Sequence, residues 1–281
     1  MKQLKYINSR GEEIDFRQFK TQVFKAGFHT YAWGYEGTAQ QFGETIDRFT
    51  KTALEYEIIV AVRGSQQEKE KALNRITEVT EYDLISSTQG TLYWGDYYLR
   101  CNIISADTQP SENFFGAERT MGILAPRPFW VKELTREFFP DSNPLADSDP
   151  DGDLDYPYDY LYDYAPAAGG SAVWQTGHYA PSNFEITVYG PCVSPRILIA
   201  DHVYEVYETL ETGEYMVISN TNNKNLIKKY RNNGTIGNLY DMRNKKESIF
   251  EPIPGGNVTV NWSGGFGFTI KLFQERSEPA W

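Results

Sequence analysis

Apolar positions in this chain alternate far more often than they recur at helical spacing. Residues 5–16 read as two short strands around a polar turn, and 54–63 (LEYEIIVAVR) as a strand rich in Ile and Val. Helical spacing emerges clearly once. Ser65 followed by Glu68 has the form of a capping box, and Ala72, Leu73, Ile76 and Val79 then repeat on one face. This predicts an amphipathic helix over 66–84, the one long helix of the chain. Strands resume at 92–94 and 97–106, with Gly95-Asp96 suited to a tight turn between them. Residues 117–124 and 127–138 are predicted to be a further strand pair. In the second of these, Trp130, Lys132, Leu134, Arg136 and Phe138 share one face.

The alternation stops at 140. Residues 140–171 are dominated by Asp, Pro, Tyr, Gly and Ala, which points to a linker or long insertion. Short strands are predicted again at 184–189, 196–200, 202–207, 214–219, 225–230, 247–253, 257–262 and 266–274. Gly190-Pro191, Asn233-Gly234 and Gly255-Gly256 mark turns between them. Many short strands with regular turns imply an antiparallel sandwich or barrel. The expected organisation is mainly β: residues 1–140 as a β-sandwich with one α-helix, 141–175 as an acidic Tyr/Asp/Pro-rich linker or insertion, and 176–281 as a second sandwich.

Composition adds a large aromatic supply, 20 Tyr, 16 Phe and 6 Trp in 281 residues, enough to build substantial cores. The net charge of −11 argues against a surface that grips nucleic-acid phosphates, though an acidic lining suits a pore through which DNA slides. Cys101 and Cys192 lie in apolar runs and read as free thiols. No apolar run has signal-peptide or membrane-span length, so synthesis in the cytoplasm without a membrane anchor is expected.

Candidate chemistry is sparse. His29, His178 and His202 are scattered, and His202 beside Asp201 reads as a turn residue. No nucleophile elbow, phosphate loop or dinucleotide fingerprint is present. The run Asp147-Ser148-Asp149-Pro150-Asp151-Gly152-Asp153 matches the first half of a calcium loop, but its twelfth position is Tyr158 and Pro150 restricts it, so a solvated acidic segment is the better reading. Tyr156, Tyr158, Tyr160, Tyr162 and Tyr164 suit a sugar platform, a docking arm or a loop folded onto its own domain. No catalytic, cofactor-binding or metal-ligating residue is assigned, and no enzyme is expected.

Several phrases resemble one family. The opening 5–16 is similar to the first hairpin of siphophage tail components, and LEYEIIVAVRGS followed by a helix is similar in order. Gly256-Asn257-Val258-Thr259-Val260-Asn261-Trp262-Ser263-Gly264, then Phe266-Gly267-Phe268-Thr269-Ile270 and the closing 274–281, resemble the last strands of distal tail proteins. Residues 184–191 resemble the first strand of their C-terminal domain. The resemblance spans the chain except 140–175. It implies an N-terminal domain packed in a homohexameric ring around the DNA channel and a galectin-like C-terminal sandwich outside it. It also implies a place at the virion tail tip, between the tail tube protein and the tail-tip hub or tail-associated lysin, with receptor-binding proteins as further partners. Residues 17–50 and 107–120 are candidate arms, with ordinary core-covering loops as the alternative, and Phe19, Phe24, Phe28, Tyr31, Trp33, Tyr35, Phe42, Phe114 and Phe115 are their aromatics. The rival reading is a carbohydrate-binding module whose C-terminal sandwich uses Trp174, Tyr179 or the Tyr run on host wall sugars; a wall hydrolase is a second rival.

Overall fold

The computed structural model describes residues 3–17, 21–110, 116–140, 170–221 and 224–280, which divide into two compact units. The first comprises Met1–Lys132 with Glu275–Trp281, the second Glu133–Gln274. Among the described residues there is a single α-helix, and antiparallel strands make up both units.

In the first unit, β1 (Leu4–Ile7) and β2 (Glu13–Asp15) form the expected opening hairpin. They are followed by β3 (Thr21–Ala26), β4 (Gly34–Ala39), β5 (Glu44–Thr50) and β6 (Leu54–Arg63). Helix α1 (Gln66–Ile85) starts at Ser65, whose side chain accepts from Glu68 N while the Glu68 carboxylate accepts from Ser65 N at 2.8 Å. Strands β7 (Gly90–Trp94), β8 (Tyr97–Pro110), β9 (Gly116–Ala125) and β10 (Trp130–Phe138) complete this half of the sequence.

Strand β8 is long enough to serve two sheets. Its first residues pair with β7, in the order β10-β8-β7-β1-β2, and from Asn102 onward it pairs with β9, in the order β3-β6-β9-β8. A bulge between Ile103 and Ser105 lies early in the second pairing. The core contains Leu4, Tyr6, Phe28, Ile58, Val60, Leu92, Met121 and Trp130, with Ile76 and Val79 supplied by α1. Phe28 lies 5.1 Å from Trp130 and 5.3 Å from Trp94, so this expected arm residue is a core residue instead. The predicted pairing of β9 with β10 is also corrected. β9 lies between β6 and β8, whereas β10 joins β8 at Val131 and Lys132, because β8 offers each a different stretch of its length.

Glu12, just before β2, ties the first hairpin to α1. Its carboxylate accepts from Asn8 Nδ2 at 2.9 Å, from Arg10 at 2.7 Å and from Arg75 at 3.2 Å. These partners, Asn8 foremost and then Arg10, hold it down at about 2 against an ordinary value of 4.5. A carboxylate held low stabilises the fold above its unfolded value, and that contribution is lost as pH falls through the folded one. Acid titration is therefore expected to weaken the first unit between about 4.5 and about 2, and Glu12→Gln to flatten the pH dependence of the melting temperature in that window.

The second unit contains β11 (Gly170–Gln175), β12 (Asn183–Tyr189), β13 (Cys192–Val193), β14 (Arg196–Ile199), β15 (His202–Glu205) and β16 (Thr209–Leu210). After these come β17 (Tyr215–Ser219), β18 (Leu226–Tyr230), β19 (Ile236–Asn238), β20 (Asn257–Trp262) and β21 (Phe268–Arg276). One sheet runs β19-β18-β17-β12-β21-β10 and a second runs β11-β20-β14-β15. Alternation sets the inner faces: Phe184, Ile186 and Val188 of β12 and Phe268, Ile270 and Leu272 of β21 are buried. Phe138 stacks on Phe268 at 4.6 Å and meets Trp174 and Trp262 edge-on. The expected strand at 247–253 is absent. Ile249 and Ile253 are buried, but Pro252 has no N–H to give a ladder, and the segment is held by turns and one bridge from Ile253 to Ser182.

Candidate functional site

Among the described residues of the first unit, the largest exposure of apolar side chains is at the β4–β5 hairpin. Its register is Tyr35 opposite Phe49, Glu36 opposite Arg48, then Gly37 opposite Ile46 across a bulge that leaves Asp47 unpaired. Side-chain alternation therefore puts Tyr35, Ala39, Ile46 and Phe49 on one face, with Glu44 beside Ala39 at its turn end. The other face carries Glu36, Thr38, Thr45 and Arg48. Arg48 makes a two-point contact with Glu36, 2.8 Å each, and Thr38 donates to Asp47 at 3.0 Å. The turn closes through Gln40 N to Gly43 O at 3.0 Å, with Gly43 at φ 89°, and raises Phe42 to the tip at 90 % exposure.

This is the amphipathic pattern of a half-buried strand pair, yet the apolar face meets solvent. Tyr35 is 58 % exposed and Phe49 68 %. A lone two-stranded hairpin is marginal in water, and clustered exposed aromatics mark an interaction surface.

A second feature is the sheet β3-β6-β9-β8. Among the described residues β3 pairs only with β6, and from Asn102 to Pro110 β8 pairs only with β9. The sheet thus ends on both sides in strands with unpaired backbone groups, the arrangement that accepts another strand. The face of this sheet turned away from the core carries Glu55 and Glu57 of β6, Glu118 of β9 and Asp107 of β8, against Lys25 and Arg63. Lys25 pairs with Glu57 at 3.2 Å. The core-facing side carries Ile58, Val60 and Met121.

The remaining sequence candidates fall into three groups. Phe42, Tyr35, Trp33 and Tyr31 are exposed in the hairpin region, as an arm requires. Trp174 is 5 % exposed and packed on Phe138, so it offers no ring to a sugar; Tyr179, at 76 % exposure, does. Residues Phe19, Phe114, Phe115, Asp147–Asp153 and the Tyr run 156–164 lie outside the described residues, as do the side-chain surroundings of Phe24. His202 opens β15 just after the Ala200-Asp201 turn, with Nε2 2.8 Å from Ser248 O and Nδ1 3.5 Å from Glu247. Both cysteines are free thiols, and burial pushes Cys101 up to about 12 and Cys192 up to about 11. No group of three or more His, Cys, Asp or Glu side chains placed to hold a metal ion occurs among the described residues. Sequence reasoning placed the arm at 17–50 without finding its β4–β5 register. The available signal was the Gln40-Gln41-Phe42-Gly43 turn between two alternating runs.

With that geometry in place, the whole chain can be laid over known folds. It superposes on the distal tail protein Dit of phage SPP1, described as a paradigm of the hub adsorption apparatus in phages infecting Gram-positive hosts. The TM-score is 0.63 over 97 % of this chain and 99 % of that one, at 11 % identity. The two share one fold. Chains of the phage P2 baseplate in its activated conformation, with calcium and with strontium, match at TM-scores of 0.58 and 0.54, each at 12 % identity over 99 % of this chain. No family profile and no curated protein matches the sequence. The fold resemblance read from the strand phrases is thus found along nearly the full length, in a mainly-β architecture.

Proposed function

We propose that this chain is a non-enzymatic structural subunit of a phage tail tip. Six copies form a ring that joins the tail tube protein to the tail-tip hub or tail-associated lysin, and receptor-binding proteins dock around it. The observation that carries the reading is the likeness of fold, end to end, to a hub protein of the adsorption apparatus. The unpaired edges β3 and β8 support the ring. They lie at opposite ends of one sheet, so a contact between them is heterologous, and heterologous contacts close into rings when the rotation permits.

In this reading the acidic face of the same sheet lines the channel, where carboxylates keep DNA phosphates from adhering. Replacing Glu57, Asp107 and Glu118 together with lysine is expected to give a protein that retains double-stranded DNA at low salt and releases it as salt rises. The wild type should not retain it. A filter-binding salt titration checks this, and a variant as inert toward DNA as the wild type counts against the lining.

The ring itself is tested by light scattering across a dilution series with negative-stain imaging of the same sample. Six times the monomer mass and a six-fold image with a central hole are expected. A monomer at every concentration, with saturable binding of host wall polysaccharide through the region of Tyr179, would replace the ring with the carbohydrate-binding reading.

A further inference from the structure

Among the described residues Lys229 and Arg119 are the buried cations, and their surroundings differ. Lys229, in the second unit, lies 3.0 Å from Glu208 and 2.9 Å from Glu214. Arg119, in β9 of the first unit, is 9 % exposed and pairs with no carboxylate among the described residues. Its Nη2 donates to Thr77 Oγ1 of α1 at 2.9 Å, and its Nε–H is enclosed without an acceptor, which leaves Nη1 as the open corner of the guanidinium. Thr77 gives its own proton to Leu73 O at 3.1 Å, so the hydroxyl has none to offer a further ligand. Burial lowers the guanidinium from its ordinary value, with no neighbouring charge to oppose the shift.

Strand register explains the missing partner. Arg119 stands opposite Val60 of β6 on one side and Thr108 of β8 on the other. Its neighbours on the core-facing side, Val60 and Met121, are apolar and fully buried. Glu118 and Asp107, next in sequence to Arg119 and Thr108, turn to the opposite face by alternation. Thr108 shares the face of Arg119, is exposed, and sits on the strand that ends the sheet. Residues directly opposite across a ladder hold their side chains about 5 Å apart, so the Thr108 hydroxyl and the guanidinium can reach one small ligand together. A buried charge left without a counter-charge is costly, and a group of this kind marks a place that an ion or a partner fills.

We propose that Arg119, held by Thr77 under α1 and facing Thr108 across the β8–β9 ladder, is an oxyanion-binding site. The ligand is a carboxylate or phosphate group, whose oxygens accept from the open corner of the guanidinium and from the Thr108 hydroxyl. A side-chain carboxylate of a docked chain and a free phosphate ion offer the same oxygens, and the two sources are separated below. The site stands whether or not six copies close a ring. Two features set its strength. The guanidinium is already fixed by Thr77, so little side-chain freedom is lost on binding, and the apolar walls at Val60 and Met121 limit screening by water.

The test uses the full-length protein with sodium phosphate and sodium acetate titrated separately, sodium chloride holding the ionic strength constant. In a sample labelled with nitrogen-15 arginine, the Arg119 Nε–H resonance, identified by its loss in Arg119→Met, is expected to shift and saturate in the millimolar range. The melting temperature should rise by about 2 °C or more at saturation. Arg119→Met should fold, because it removes an unpaired charge, melt no lower than the wild type in chloride, and show no rise with either anion. Thr108→Val, at an exposed position, should keep the fold and bind about fivefold more weakly, the worth of one hydrogen bond. Saturation by acetate assigns the site to the carboxylate of a docked chain, and saturation by phosphate alone assigns it to the free ion; both uphold the site. An Nε–H resonance indifferent to both anions, an equal rise of melting temperature in Arg119→Met, or wild-type affinity in Thr108→Val overturns it.

Discussion

Under the proposed ring, replacing Tyr35, Phe42 and Phe49 together with serine is expected to abolish self-association while leaving the first unit folded. Interface energy concentrates in a few buried aromatics, each worth about 2 kcal/mol or more when truncated, so three removed at once weaken association by well over a hundredfold. Stability should hardly change. The three rings are 58 %, 90 % and 68 % exposed, and surface substitutions away from caps and cores shift stability by about 0.5 kcal/mol or less. Light scattering and a calorimetric scan on the same preparation check both halves. A variant that still forms the ring removes the hairpin from the interface, and a fall of 10 °C or so in melting temperature would mean the rings hold up their own unit.

The opposite face of the hairpin supplies the control. Glu36 and Arg48 form a well-aligned pair, but their side chains are 55 % and 68 % exposed, and such pairs contribute about 0–1 kcal/mol. Replacing both with serine should leave association near the wild-type value. If the charged-face variant fails and the aromatic variant does not, the face assignment taken from the bulge at Asp47 is inverted.

Elements whose own residues carry their signal were legible in the sequence. Strand β6 was read at its observed limits, because alternation at its start and β-branched residues along it agree. The start of α1 was visible in Ser65 and Glu68, which satisfy each other locally. The failures share a different cause, since they depend on partners far along the chain. Nothing in 127–138 says that β10 will lie beside β8, because that choice is made by the length of β8 and its bulge past Ile103. The two-residue strands β13 and β16 exist through each other alone. At 247–253 the apolar run looked like a strand, and its residues are indeed buried, but the prolines decide how its backbone is satisfied. The exposed hairpin was half visible: aromatics without helical period marked 17–50, while the separation of Phe28 into the core from Tyr35 and Phe49 outside it required the register.

Gly90→Ala is expected to destabilise the first unit by about 3–5 kcal/mol, close to the whole stability of an ordinary domain. The reason lies in a small polar knot inside an apolar core. Asp83, fully buried on α1, accepts from Tyr6 Oη at 2.5 Å, from Ser9 N at 2.9 Å and from Thr88 Oγ1 at 3.2 Å. Burial, and after it the carboxylate of Asp83, push the Tyr6 phenol upward, so Tyr6 remains the donor. Gly90, at the start of β7 opposite Cys101, leaves the space this knot occupies: a Cβ there would collide with the Tyr6 hydroxyl, the Tyr6 ring and the Asp83 carboxylate. None of these can withdraw cheaply. Tyr6 belongs to β1, which is held by both β2 and β7, and Asp83 is fixed by its three donors. One methyl group therefore overpacks the core and separates a buried carboxylate from its hydroxyl partner, two costs that act together. Urea unfolding followed by the fluorescence of Trp94 and Trp130 measures the loss. Tyr6→Phe in the same background distinguishes the two costs. It removes the hydroxyl that meets the new methyl, so the double variant should lose less than the two single losses combined. A melting temperature within about 2 °C of wild type for Gly90→Ala would show that β7 can shift away from α1, and the knot would then be a local contact with no grip on the sheet.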